Sequence, residues 1–269
     1  LASATAPGAR GSVSITWNGD YGYLLTNLIL KDFKVRYRNM SLGVFWSLLN
    51  PLVMMTVLTV VFSTAFPNLT IPYFPLYLLC GLVPYNLFNL CWLTGASSLF
   101  DNAGLIKRQP VPRELIPIAG VLSQCIHIGI QVLLLMGFVL YYGLGVHKYW
   151  LVLPFLWLCE IVFVCGLALG FAALNVYVRD TRYIIESVMT VVFWTVPVFY
   201  RVTEVPSQWR DLYLMNPITL TVVATRNVLI DHILPEGFIF IRLAVLALLS
   251  LSIGLLVFRV LKRRFYDYL

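Results

Sequence analysis

Charge is what this sequence lacks most. Only 12% of its 269 residues are Asp, Glu, Lys or Arg, against about 25% in an ordinary soluble domain. Most of the chain therefore does not face water. Histidine is scarce. His127, His147 and His232 are far apart and share no metal-ligand spacing, so no metal site is expected. The five cysteines, Cys80, Cys91, Cys125, Cys159 and Cys165, form no CxxC pair and read as buried free thiols. GxxxxGK followed by Ser or Thr is missing, so ATP is not expected on a P-loop of this chain, and GxSxG is missing too. No convergent set of acids, bases or ligands can be assembled, which argues against an enzyme acting on lipids.

What is present is apolar. The chain is 60% hydrophobic, with a mean hydropathy of +0.85. Six apolar segments stand out, at about 44–66, 73–99, 115–142, 150–174, 183–200 and 239–261. They match the run of about 18 or more apolar residues that marks a transmembrane helix. Backbone groups in lipid must be satisfied within the segment, so these runs read as helices, and the alternation of a membrane barrel is absent. The expected fold is an all-α integral membrane protein with six transmembrane helices, an N-terminal amphipathic interfacial helix and short re-entrant outer helices between spans five and six. Residues 1–20, rich in Ala, Gly, Ser and Thr, read as a flexible tail without a signal-peptide core, and 21–269 as one transmembrane domain.

The formal net charge is +7. The basic residues sit between apolar runs, so they read as topology signals and not as a nucleic-acid surface. Lys31, Lys34, Arg36 and Arg38 precede span one; Lys107, Arg108 and Arg113 lie between spans two and three; Arg179 and Arg182 follow span four; Lys262, Arg263 and Arg264 follow span six. The opposite loops are poorer, with only Lys148 in the second. Both termini of this multi-pass membrane protein are therefore expected in the cytoplasm.

Residues 21–39 fit a helix with Lys31, Lys34 and Arg38 on one stripe, Leu25, Ile29 and Phe33 opposite, and Asp32 paired with Arg36 at i,i+4. This reads as an interfacial helix on the cytoplasmic leaflet; the alternative is a solvated helix that only enforces topology. In the long outer stretch 203–236, Asn216-Pro217 reads as an N-cap with Pro at the first helical position, and 208–215 as a short helix before it. Trp209, Asn216, Pro217 and Arg226 are candidates for an outer gate, with a passive amphipathic cap as the alternative. Arg226, on an otherwise apolar helix, should face a channel or a polar partner.

The connector 101–114 reads DNAGLIKRQPVPRE. Asn102 can cap a short helix from 103 to about 109, which Pro110 and Pro112 stop. Its basic tip suits either docking to a partner or a positive-inside anchor. Glu114 has Arg113 or Arg108 as its local partner. Within the spans lie Gln124, His127, Gln131, Glu160 and Glu186; a polar contact between helices is the favoured role for Glu160, ahead of a proton relay.

Five stretches resemble one family, and together they cover almost the whole chain after residue 21. They are LKDFKVRYRNMSLGVFWSLLNPL (30–52), YLLCGLVPYNLF (77–88), NAGLIKRQPVPRELIPIAGVLS (102–123), GLALGFAALNVYVRDTRYI (166–184) and TVPVFYRVTEVPSQWRDLYLMNPITLTVVATRNVLI (195–230). In this order they are similar to the permease subunit of ATP-binding-cassette exporters of lipid-linked polysaccharides such as O-antigen, capsule and wall teichoic acid. The resemblance implies a homodimer clasped by two separate ATPase subunits that carry ATP and Mg, with no cofactor on this chain. It implies a coupling helix at Asn102, Leu105, Ile106, Lys107, Arg108, Arg113 and Glu114. It also implies a central channel for a lipid-linked glycan, lined by aromatics, for which Phe62, Phe66, Tyr85, Phe88, Phe193, Trp194 and Tyr200 are candidates. A permease for small molecules or drugs remains the alternative, followed by an ion-coupled transporter; no convincing internal repeat supports the latter.

Overall fold

The computed structural model describes residues 19–38, 42–65, 71–108, 111–262 and 265. Among these residues every regular element is an α-helix or a 3-10 helix. Ten α-helices follow one another: α1 (Tyr21–Tyr37), α2 (Trp46–Ala65), α3 (Phe74–Asp101), α4 (Ala103–Arg108), α5 (Leu115–Tyr141), α6 (Leu153–Tyr177), α7 (Thr181–Thr195), α8 (Ser207–Tyr213), α9 (Pro217–Leu229) and α10 (Gly237–Leu261).

Five helical segments, Gly43–Ala65, Phe74–Arg108, Leu115–Tyr141, Lys148–Tyr177 and Gly237–Leu261, are long and apolar enough to cross a membrane. The expected fifth span, 183–200, is only partly helical. Helix α7 has 15 residues, or about 22 Å at 1.5 Å per residue, short of the roughly 30 Å hydrocarbon core. It stops because Pro197 has no N–H to continue the ladder.

Helix α3 is the centre of the fold. Leu76, Leu78, Leu79, Cys80, Cys91 and Leu99 along it are fully enclosed, and α2, α5, α6, α7 and α9 pack around it. Helices α6 and α10 cross in backbone contact. A Cβ on Gly166 would collide with the backbone at Ser250 and Leu251, and one on Gly254 with Gly166 itself. Gly166 and Gly170 face Ser250 and Gly254, the small-residue spacing that lets membrane helices approach closely.

Helix α1 begins at Asp20, whose carboxylate accepts from the Gly22 and Tyr23 amides at 2.8 and 3.3 Å. Its apolar side is applied to protein. Leu28 is buried, and Leu24, Leu25 and Ile29 pack on a cluster containing Leu99, Ile106, Ile116 and Phe258. One local expectation, the Asp32–Arg36 pair, changes here. Asp32 pairs with Lys31 at 3.2 Å, and Arg36 turns to Thr94 Oγ1 at 3.4 Å. Arg36 lies on the face that meets α3, where a hydroxyl is in reach. Asn39, Arg263 and Arg264, and all of the tail except residues 19–20, lie outside the described residues.

Candidate functional site

An open groove of about 800 Å³ runs between α2 and α7, with α3 as its floor. Its walls combine aromatic rings (Trp46, Tyr85, Phe193) with amides and other polar groups (Asn50, Asn86, Asn89, Glu186). Glu186 is held by Arg182 one turn earlier, Nε to Oε1 at 3.1 Å. Such a surface offers flat apolar faces and scattered hydrogen-bond partners, with no deep pocket to fix one small ligand.

At one end of the groove the aromatics merge into a cluster. Tyr85 and Phe193 meet edge to face, their centroids 5.1 Å apart. Phe193 touches Trp194 at 5.6 Å and Phe199 at 6.3 Å. Phe199 in turn reaches Phe62 at 4.8 Å, Trp194 at 5.5 Å and Tyr200 at 5.2 Å. Five candidate lining residues, Phe62, Tyr85, Phe193, Trp194 and Tyr200, are thus brought together around Phe199, which sequence reasoning did not single out. Its place in an irregular segment after Pro197 gave no periodic signal. Phe88 lies elsewhere. It is enclosed against Trp92 at 5.3 Å and Phe163 at 6.2 Å, away from the groove. Phe66 lies outside the described residues.

The segment after α7 is tied down by Arg226 of α9. Helix α9 starts where Asn216 Oδ1 accepts from the Ile218 amide at 3.0 Å, with Pro217 in its first turn. Arg226 is buried and donates to the carbonyls of Pro197 and Val198, both at 2.6 Å, and to Tyr77 O at 3.2 Å. Its guanidinium also stacks 3.5 Å over the Tyr77 ring. The charge thus meets polar partners and an aromatic face in place of lipid. Beside it, a cavity of about 340 Å³ is lined by Arg201, Asn227 and Asp231 among others. Burial pushes the Asp231 carboxyl above its ordinary range, opposed by Arg201, His232 and Arg226. Trp209 on α8 is exposed.

At the opposite end lies the connector. The Asn102 backbone carbonyl opens α4, accepting from Leu105 N at 3.0 Å and Ile106 N at 3.1 Å. Its side chain does not cap α4. Nδ2 turns back to Ser98 O at 2.8 Å, and Oδ1 receives Lys31 of α1. Asn102 closes α3, so its amide is spent on that helix's last carbonyls. Ile106 is buried and Leu105 packs beside it, anchoring α4, while Lys107 and Arg108 are exposed. Glu114 pairs with Lys262 at 2.5 Å, not with Arg113 or Arg108. Arg113 instead reaches Lys262 O at 3.3 Å and lies over Phe265 at 5.9 Å. The end of α10 lies beside the start of α5, a neighbour that sequence separation hides. Lys34 and Arg38 are exposed on α1.

The buried polar residues divide. His127 and Gln131 bond to each other and to groups on α1 and α3. Glu160 is fully enclosed, and neither of its oxygens has a hydrogen-bond partner among the described residues. The contact between helices expected for it is not made there.

Comparison with known proteins gives this arrangement a family. The model described as ABC-2 type transporter matches residues 23–230. The chain is 26% identical over 261 residues to an O-antigen export system permease protein RfbA of Klebsiella pneumoniae, covering 96% of this chain and 100% of that one. It is 27% identical over 233 residues to the protein of the same name from Myxococcus xanthus, covering 86% and 89%. It is 24% identical over 242 residues to the polysialic acid transport protein KpsM of Escherichia coli, covering 86% and 91%. With the greater part of its length matched, from α1 through α9, the chain belongs to the ABC-2 type transporter family.

Proposed function

We propose that this chain is the channel-forming permease subunit of an ATP-driven exporter that moves lipid-linked polysaccharide across the bacterial inner membrane. The observation that carries the reading is the groove between α2 and α7. It is open and walled by aromatic rings and amides. Sugar rings have apolar C–H faces that lie against aromatics and hydroxyls that exchange among amides, so a glycan can be held at many weak positions and still advance. The relatives' names, O-antigen export permease and polysialic acid transport protein, agree with such a cargo.

In this reading two copies meet along α2 and α7 and join their grooves into one channel. Helix α7 with the segment to Tyr200 makes the sixth crossing. Irregular backbone at membrane depth needs internal partners, and Arg226 supplies them at Pro197 and Val198. Helices α8 and α9 then form the outer re-entrant pair, with both termini and α4 in the cytoplasm. Two ATPase chains, carrying ATP and Mg, dock on α4 and α1. A push on α4 acts on α3 through Asn102 and on α1 through Lys31.

A deletion strain tests this. It should retain its lipid-linked glycan on the cytoplasmic side, and the purified chain should bring down an ATPase whose turnover rises with that glycan. Normal surface glycan together with lost export of a small hydrophobic drug would favour the drug-permease alternative.

A further inference from the structure

Five side chains form one unbroken chain of hydrogen bonds that starts in the groove wall. Asn86 Nδ2 donates to Gln131 Oε1 at 3.1 Å. Gln131 Nε2 lies 3.3 Å from His127 Nε2. His127 Nδ1 is 2.6 Å from the Tyr37 hydroxyl, which is 3.3 Å from Ser47 Oγ. Ser47 donates to the Val44 carbonyl. The chain joins α3, α5, α1 and the start of α2. Ser47, His127 and Gln131 are buried, so their polar atoms must be satisfied inside the protein.

The donors and acceptors leave one arrangement. Gln131 Oε1 receives Asn86, so its Nε2 is the donor toward His127. His127 Nε2 must then accept, and a neutral imidazole that accepts at one nitrogen carries its proton on the other. The Nδ1 proton goes to the Tyr37 oxygen, the Tyr37 proton to Ser47, and the Ser47 proton to Val44. Each proton is used once. Asn86 lines the groove and keeps Oδ1 outside the chain.

We propose that Gln131 and His127 are positioning residues for the glycan path. They hold the Asn86 amide so that Oδ1 faces the groove as a fixed acceptor for sugar hydroxyls, and through Tyr37 they make that orientation depend on the seating of α1. The inference rests on the reading of the groove as the glycan path. Two features support a role beyond packing. A fully satisfied polar chain fixes one arrangement, whereas apolar side chains of similar volume would fill the space without orienting an amide. Helix α1 also holds the connector, through Lys31 and Asn102, six residues before Tyr37. A shift of α4 therefore has a rigid route, through less than two turns of α1, to an amide in the groove.

The test uses the whole transporter with its ATPase in lipid. With three histidines in the chain, ¹⁵N-histidine spectra can be assigned to His127 by difference against His127→Asn. The expected spectrum is a single neutral tautomer with the proton on Nδ1, becoming a mixture in Gln131→Leu as Nε2 loses its donor. Asn86→Ala and Gln131→Leu should each lower polysaccharide export about fivefold, the order of one lost hydrogen bond, and the double variant no further. Tyr37→Phe, a milder change, should lower export in the same direction with the ATPase retained. A proton on Nε2, or losses that multiply in the double variant, overturns the proposal. Export unmoved by any of these variants overturns the positioning role even if the tautomer is as expected. Wild-type complexes that carry no polysaccharide overturn the groove reading instead, and the tautomer, which needs no cargo, separates that failure from this one.

Discussion

Arg226 and Tyr77 are locked together from two sides: the guanidinium lies 3.5 Å over the phenol ring and donates to the Tyr77 carbonyl. The same guanidinium takes the carbonyls of Pro197 and Val198, and the Tyr77 hydroxyl donates to Tyr200 O at 2.8 Å. Helix α3, helix α9 and the segment after α7 are thereby one unit. Gly81 makes room for it: a Cβ there would lie 2.8 Å from Arg226 Nη2 and 3.1 Å from Val198 Cα.

Removing this clamp should be costly. Arg226→Leu leaves the Pro197 and Val198 carbonyls without this donor and is expected to destabilise by about 2–6 kcal/mol, the scale for stranding two buried acceptors. Arg226→Lys should recover only part of that, since an ammonium cannot reproduce the planar fork. Gly81→Ala should destabilise by about 1–3 kcal/mol through overpacking. Thermal unfolding in detergent reads all three, and an Arg226→Leu protein as stable as wild type would sink the clamp.

The aromatic candidates separate into two kinds. Phe193→Ala and Tyr85→Ala open the groove wall and should lower export while the ATPase stays bound. Phe88→Ala leaves a cavity among α3 and α6, so its effect should be on stability, about 3–5 kcal/mol. Export rates normalised to folded protein distinguish them. A Phe88 variant that folds normally but fails in export would place it in the path.

At the connector, Lys107→Glu with Arg108→Glu reverses two exposed charges. If these steer an acidic surface of the ATPase, like-charge contact costs several kcal/mol, and co-purification should fall by at least about tenfold with insertion intact. By contrast, the Glu114–Lys262 pair is partly exposed at both ends, and Glu114→Gln should change stability by less than about 1 kcal/mol. An ATPase that stays bound to the double variant at full export would reduce α4 to a topological anchor.

Orientation can be checked by labelling in a Cys-light background. Ser207→Cys on α8 should react with an impermeant maleimide added from the periplasmic side, and Arg108→Cys on α4 only after the membrane is opened. The reverse pattern would invert the whole scheme, the coupling end included.

The sequence by itself determined the elements. Long apolar runs placed α2, α3, α5, α6 and α10 to within a few residues, and Asn216-Pro217 placed the start of α9, because caps and hydropathy act within one turn or one segment. It also marked a basic connector and a set of aromatics, five of which lie together in the structure. What it could not decide was which faces meet. Helix α3 is apolar on nearly all sides, so no periodicity showed that Tyr85 and Asn86 line the groove while Phe88, about 60° round the helix from Tyr85 and about 160° from Asn86, is sealed in the core. Sequence proximity pairs Asp32 with Arg36 and Glu114 with Arg113 or Arg108. The tertiary structure drew Arg36 to Thr94 of α3 and Glu114 to Lys262 at the end of α10, and bound Arg226 to carbonyls of two other segments. A buried or half-buried polar group bonds to whatever the packing of whole helices brings within about 3 Å, and that proximity is set by pairs of elements distant in the chain.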